Sequence, residues 1–494
     1  MGSNSTLGII IALLPIAIIV LVFYWNLRGH PETSDLPDNT DDTDSNDNGP
    51  QMQIISRDRH PVSRKDLSDN ALKVLYRLKD AGYEAYLVGG CVRDVMLGKH
   101  PKDFDVSTEA TPEQVHELFR NSRLIGRRFK LVHVRFGREI IEVATFRASH
   151  NSQSNTKPNS KGKDREQQGK QAESGMILRD NVYGNVHEDA IRRDFTVNAL
   201  YYSIEDFCIH DHANGVADLQ NRTLRMIGDP ESRYREDPVR MIRAVRFAAK
   251  LEFTIEPKTE APIRQLAPML ADIPAARLFD EVLKLFLSGQ AVTTYRLLRE
   301  FNLFSPLFPA TARILDKQAK HPDDNCFAEA LIVQALISTD QRIKRGQSVT
   351  PAFLFAALLW HPLQERIEKC RQKGLPPIPA LHQAAQEIIQ EQGRATSIPR
   401  RFSTPMREIW DMQYRLPRRF GRRAEQIAEH PRFRAAYDFL LMREGSGEDL
   451  DGLGDWWTRY QSADQEQKLE LVRTLDKPRS KRRRNRRSAP VTKS

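Results

Sequence analysis

Asp103 lies thirteen residues beyond Gly90, and the run that holds both, YLVGGCVRDVMLGKHPKDFDVST over 86–108, concentrates side chains able to do chemistry. Two glycines after a strand, here Gly89 and Gly90, let a backbone approach a phosphate closely. A helix that follows offers free N–H groups and the positive end of its dipole. Arg93, one helical turn in, is placed to clamp a phosphate oxygen. Asp103 and Asp105 alternate with Phe104 and Val106 at the period of a strand, so both carboxylates leave one face. Such a pair holds hard cations, two Mg2+ ions for example, through oxygen. Taken singly, Gly-Gly marks a turn and Asp-x-Asp a solvent-facing strand edge; at this spacing the two read together as a phosphate and metal site.

Two further blocks carry charge in useful patterns. In RRDFTVNAL, 192–200, Arg192 and Arg193 keep Asp194 ionised by opposite charge. Asp194 is either a third site carboxylate or one half of a structural salt bridge. Glu142, on the strand-like EIIEVATFR, is its rival, with pairing to Arg147 as the plainer use. In EDPVRMIRAVRF, 236–247, Asp237, Arg240 and Arg243 fall at i, i+3 and i+6, with Arg246 at i+9, near one helical face. An aspartate accepts from an exocyclic amino group while an arginine donates to a ring acceptor, a pattern that fits adenine and cytosine and rejects guanine and uracil. The alternative is a charged helix with internal ion pairs.

The elements that must position these residues follow from local pattern. Ala71, Val74, Leu75 and Leu78 sit at helical spacing that Gly82 ends. Order is expected from about Ser63. A strand covers 86–88, a helix stops at Leu97-Gly98, and Thr111-Pro112-Glu113-Gln114 is a capping box with proline at the first helical position. Phe129–Phe136 and Glu139–Thr145 read as a strand pair around Gly137. Beyond about 230, strand patterns largely stop, and 238–251, 277–288, 351–360, 405–415 and 432–443 read as helices. The fold class is therefore α+β: a small α/β head, then a mostly α-helical neck and body, then a disordered basic tail.

The full sequence has 494 residues, 28% of them charged, and a formal net charge of +10. Its length suits several domains. Residues 31–50 carry seven acids and no bases, and 477–494 carry nine bases and no acids. A basic body with a basic tail suits a polyanionic partner. Four scattered cysteines, at 91, 208, 326 and 370, show no zinc or disulfide spacing and fit a reducing compartment. Leu7–Trp25 is uncharged and just long enough to span a bilayer. It reads as a single-pass anchor, with a cleaved signal or an early start ahead of Met52 as the alternatives. The expected division is 1–30 anchor, 31–55 acidic disordered linker, 56–218 head with a polar loop at 149–174, 219–290 helical neck, 291–470 helical body and 471–494 basic tail.

GG-x-x-RD, D-x-D, RRDFTVNAL and EDPVRMIRAVRF, in this order, resemble the motifs of class II nucleotidyltransferases, which include tRNA CCA-adding enzymes and bacterial poly(A) polymerases. The likeness runs from about Ile54 to about Arg443. It implies a nucleotidyltransferase head in which Asp194 joins Asp103 and Asp105 as catalytic carboxylates, the latter two holding the Mg2+ ions. It also implies a nucleotide site of Gly89, Gly90, Arg93, Arg192, Arg193, Asp237, Arg240, Arg243 and Arg246, with ATP as substrate. GRRFKLVHV (126–134), RYREDPVRMIRAVRFAAKL (233–251), PAFLFAALLWHPL (351–363) and HPRFRAAYDFLLMR (430–443) resemble the poly(A) polymerase branch. That branch implies addition of AMP to RNA 3′ ends without a template. The alternatives are CCA addition to tRNA, or a membrane-tethered RNA-binding protein with an inactive head. Arginines interleave with aromatics over 400–437, Trp410, Tyr414 and Phe420 among them. Arg127, Arg128, Arg418, Arg419, Arg422, Arg423, Arg482, Arg483 and Arg484 are the expected contacts to RNA phosphates, broad in sequence. The chain is expected to act as a monomer in the cytoplasm, tethered to the cytoplasmic face of the inner membrane if 7–25 is an anchor.

Overall fold

Ser68 accepts from the backbone N–H groups of Asn70 and Ala71 and so starts α1 (Asp69–Asp80), which buries Ala71, Val74, Leu75 and Leu78. Gly82, at φ +86°, turns the chain out of this helix. In the computed structural model, which describes residues 52–126, 130–148, 169–171, 177–180, 182–321 and 327–476, α1 lies against the central strands of the head. Those strands are β1 (Gln53–Ile55), β2 (Ala85–Val88), β3 (Asp105–Thr108), β4 (Ser122–Ile125), β5 (Leu131–Phe136) and β6 (Glu139–Thr145). Two later ones, β9 (Leu200–Ser203) and β10 (Ile209–Asp211), complete a sheet of order β1-β10-β9-β2-β3-β6-β5-β4. Among the described strands of this sheet, β3 and β6 alone pair in parallel. The separate pair β7 (Gly169–Gln171) and β8 (Ile177–Asp180) ends the polar segment after β6.

Helices supply the rest of the head. The Gly89-Gly90 turn leads into α2 (Gly90–Met96), and the Thr111–Gln114 capping box, with Pro112 at the first position, starts α3 (Pro112–Leu118) as expected. The β5–β6 hairpin closes over Gly137, at φ +63°. Further along, α4 (Val186–Arg192) packs Ala190 with Tyr86, Val88, Phe146 and Tyr201 on the sheet face away from Val106, Val132 and Val143.

α5 (Gly215–Gln220) packs on the head at Thr196, and beyond it α6 (Pro230–Glu236), α7 (Val239–Leu251) and α8 (Ala275–Phe286) form the neck. The two-residue strands β11 (Thr223–Leu224) and β12 (Thr254–Ile255) pair beside them. In the body, α12 (Pro351–Leu358), α13 (Trp360–Gln372), α15 (Arg400–Arg415) and α17 (Phe433–Gly445) are among the packed helices. They follow α9 (Ala291–Glu300), α10 (Pro309–Lys320) and α11 (Ala328–Lys344), with α14 (Pro377–Ala395) and α16 (Arg423–Ala428) between them. One apolar core runs from Ile55 in the head to Trp410 and Phe439 in the body. Stacked or tilted phenylalanines 279, 308 and 355 tie α8 to α12, each contributing about 1.5–3 kcal/mol by burial.

Three expectations change. The chain joins the sheet at Gln53, ahead of Ser63 and inside the segment read as linker, because Ile55 is buried against its neighbours; three residues are too short to show a period. Strand β3 begins at Asp105, so Asp103 stands in the loop before it. The polar 149–174 segment contains the start of a two-stranded ribbon at Gly169, where no alternation marked one. The anchor at 7–25, the acidic run 31–50, Arg127, Arg128, Cys326 and the tail with Arg482, Arg483 and Arg484 lie outside the described residues. No described helix is long and apolar enough to cross a membrane.

Two imidazoles, His212 buried and His361 part-buried, set an acid limit on this fold. Burial holds His212 and His361 down to about 4, His212 with help from the neighbouring His187 and His210 and against Asp189. His361 faces Glu448 and Arg443. A lowered histidine stays neutral in the fold while the unfolded chain takes up a proton near 6.5. Stability from both is thus complete above about pH 6.5 and falls by up to about 3 kcal/mol each as pH drops to 4. Melting curves between pH 7.5 and 4.5 should show a shallower decline for His212→Asn than for the parent; identical slopes would remove His212 as a source.

Candidate active site

Strand register brings the glycine turn and the acids to one end of the sheet. Val88, the last residue of β2, pairs with Asp105, the first of β3, and Asp105 pairs in turn with Glu142 of β6. Gly89 follows at φ +72°, ψ −125°, a conformation open to glycine alone. A Cβ there would meet Arg193 Nη1 at 3.3 Å and the Asn198 carbonyl at 3.6 Å. The turn's backbone is therefore bare toward these groups.

Asp105 is pushed up to about 6, first by burial, then by Glu142 and Asp103, with Arg193 opposing. Three carboxylates crowd this end of the sheet, with Phe104 and Val106 buried on either side of Asp105. Their mutual repulsion is what a bound divalent cation would relieve, so the donor set fits Mg2+. Among the described residues, no three His, Cys, Asp or Glu side chains close on a common point. Glu142 is half exposed and meets His133 Nε2 at 3.2 Å.

Asp194 is held from three sides. Its carboxylate accepts from Phe195 N (2.9 Å), Asn198 Nδ2 (3.1 Å) and Arg243 Nε (2.7 Å), and Arg243 with Asn198 holds it down to about 2. The family resemblance groups Asp194 with Asp103 and Asp105, while the parallel β3–β6 pairing places its rival Glu142 beside Asp105. Arg93 is also otherwise engaged: only 2% exposed, it donates to Asp94 (2.6 Å) and Asn198 Oδ1 (2.6 Å). Through these bonds it braces the turn. Asn198 so links Arg93 to Asp194 and, through it, to Arg243 on the neck.

The neck's charged face differs from one continuous helix. Asp237 lies between α6 and α7, and its carboxylate accepts from Arg277 Nη2 at 2.6 Å. Arg240 donates to Glu236 at 2.8 Å, as does Arg233 at 2.6 Å. Arg192 is held down to about 10 by burial and by Arg147, Arg233 and Arg240 around it, a concentration of guanidinium charge suited to a polyanion. Arg243 and Arg246 both lie over the Phe247 ring, at 5.3 and 4.8 Å, as does Arg93 at 5.3 Å. Asn198 and Glu236 lie inside the quoted blocks without a role assigned to them, and Arg277 lies outside every block; their parts show only in the packing.

In the body, Arg418, Arg422 and Arg423 are exposed and make no ion pair among the described residues. Arg419 stacks on Trp456 at 5.1 Å. Phe420 is exposed, but Trp410 is fully buried and donates to the Ala356 carbonyl at 3.1 Å, so it is a core residue and not a stacking platform.

Three family models match in order: a poly A polymerase head domain over 85–225, a probable RNA and SrmB-binding site of polymerase A over 252–315, and a polymerase A arginine-rich C-terminus over 373–489. The chain is 51% identical over 441 residues to poly(A) polymerase I of Salmonella typhimurium, covering 88% of this chain and 92% of that one. The chain belongs to the poly(A) polymerase I family. A CCA-adding enzyme of Lactobacillus helveticus matches at 38%, over only 48% of this chain and 55% of its own length. The poly(A) polymerase fold extends to a crystal structure of the Bacillus stearothermophilus CCA-adding enzyme in complex with CTP, at TM-score 0.53 and 23% identity, covering 79% of this chain and 82% of that one. The likeness to that enzyme is one of fold.

Proposed function

We propose that this chain adds AMP from ATP to RNA 3′ ends without a template, releasing pyrophosphate. The observation that carries this is 51% identity to a poly(A) polymerase I across 92% of that protein, with Asp105 paired to Val88 beside the Gly89 turn and Asp103 in the loop just before Asp105. The RNA 3′-hydroxyl attacks the α-phosphate of ATP in line, and the bond to the β-phosphate oxygen breaks. Asp103 and Asp105, with Glu142 alongside, would hold Mg2+, which when bound would supply charge neutralisation at that phosphate and activation of the hydroxyl. The bare turn at Gly89 and Gly90 takes the triphosphate, with Arg193, Arg192 and Arg246 supplying cationic donors. Asp237 and Arg240, fixed by Arg277 and Glu236, face the base. Exposed Arg418, Arg422 and Arg423 hold RNA phosphates without reading sequence. The uncharged run at 7–25 supports a tether to the cytoplasmic face of a membrane; release of the full chain from membranes by salt alone would remove that tether.

Offering each nucleoside triphosphate separately, with Mg2+ and a short RNA primer, tests the activity. ATP should extend the primer at least about a hundredfold better than CTP, a discrimination of ~2.7 kcal/mol. Equal use of CTP, or extension only of a tRNA lacking its CCA end, would transfer the chain to the CCA-adding reading.

A further inference from the structure

We propose that Asp189 and Tyr201 form a positioning pair that aims one nitrogen of Arg193 at the triphosphate of the incoming nucleotide. The inference rests on the nucleotide reading above and adds residues that none of the motif blocks assigned a role.

Arg193 is tied back along one edge. Its Nε donates to the Tyr201 hydroxyl at 2.7 Å, and its Nη2 donates to Asp189 Oδ2 at 3.1 Å. The Tyr201 hydroxyl donates to that same Oδ2 at 2.7 Å, which closes a triangle of hydrogen bonds. The Tyr201 ring also lies under the guanidinium at 5.0 Å. Both supporting side chains are buried, Tyr201 fully and Asp189 to 8% exposure. Asp189 is held further by Ser107 Oγ and the Arg147 backbone N–H, each at 3.3 Å.

The third nitrogen, Nη1, makes no hydrogen bond among the described residues and lies 3.3 Å from where a Cβ on Gly89 would stand. A guanidinium is planar, so fixing Nε and Nη2 fixes the direction of the Nη1 donors. The triangle is tied to the site by register: Tyr201 pairs with Val88, and Val88 pairs with Asp105. An arginine held in this way loses little rotamer freedom when an anion arrives, whereas a free one would lose much of it. Pairing Arg193 with Asp189 alone would satisfy the charge. The added Tyr201 bond and ring fix orientation, which matters where a ligand must be met.

The test uses the full chain, with Tyr201→Phe and Asp189→Asn compared with the parent. Equilibrium binding of ATP and of adenosine is measured without divalent cation or RNA, alongside melting temperature. Both variants should bind ATP about tenfold more weakly, the loss of one well-aimed charged donor, while adenosine affinity stays within about twofold. Arg193→Ala combined with Tyr201→Phe should lose no more than Arg193→Ala alone. Equal losses for ATP and adenosine, or a folded Tyr201→Phe that binds ATP as the parent does, would overturn the pair. A parent chain that fails to bind ATP overturns the nucleotide reading as well. An inactive Asp103→Ala beside an unaffected Tyr201→Phe overturns the positioning pair alone.

Discussion

Asp103→Ala is expected to lower AMP incorporation by more than about a thousandfold, ~4 kcal/mol of transition-state stabilisation, while leaving the fold intact. The side chain is exposed, sits in a loop and makes no ion pair among the described residues, so its removal breaks no packing. Its removal is also electrostatically favourable in the metal-free protein. Asp105, at about 6, lies above the ordinary carboxylate value, and its contribution to stability is complete only below about pH 4 and lost as pH rises through 6. Near pH 8 the fold therefore carries a charged Asp105 at some cost, and removing Asp103 relieves part of it. The variant should melt no lower than the parent in chelator at pH 8. Primer extension with radiolabelled ATP reads the activity. Turnover within about tenfold of the parent, a loss of only ~1.4 kcal/mol, would end the metal-binding role of Asp103.

The parts of this site that local period determines were legible in the sequence. Gly89 is the one residue type that tolerates φ +72° with ψ −125°, and Phe104 and Val106 alternate with the acids whether or not the strand extends to Asp103. The parts set by pairing at a distance were not. Glu142 stands out only as a rival to Asp194, since it is 37 residues beyond Asp105 and the parallel β3–β6 register is what makes them neighbours. Arg93 has the right type for a phosphate clamp, but Asn198, more than a hundred residues away, lies opposite and engages it. The helical face containing Asp237 is interrupted because Asp237 and Pro238 separate α6 from α7, and Arg277 comes from a later helix. Trp410 shows the same limit in the body: arginine–aromatic interleaving does not say which rings a helix turns inward.

Asp194 and Glu142 should separate when each is changed. Asp194 is 9% exposed, and its loss would leave Arg243 without its charge partner and free Asn198 from one of its bonds. Breaking a buried pair from one side costs about 3–5 kcal/mol, so Asp194→Ala should melt lower by roughly 3–6 °C in a chain of this length. The loss should be smaller in acid, since Asp194, held near 2, gives its stability above about pH 4 and loses it as pH falls toward 2. Glu142 is half exposed, with His133 as its contact, so Glu142→Gln should keep the parent melting temperature. If Glu142 shares the cation with Asp105, the same change should lower turnover by about a hundredfold or more. Thermal melts and AMP incorporation measured on both variants decide between them. An Asp194→Asn chain that melts with the parent and yet is dead would return Asp194 to the reacting atoms. A Glu142→Gln chain with near-parent turnover would leave Asp103 and Asp105 to hold the metal without it.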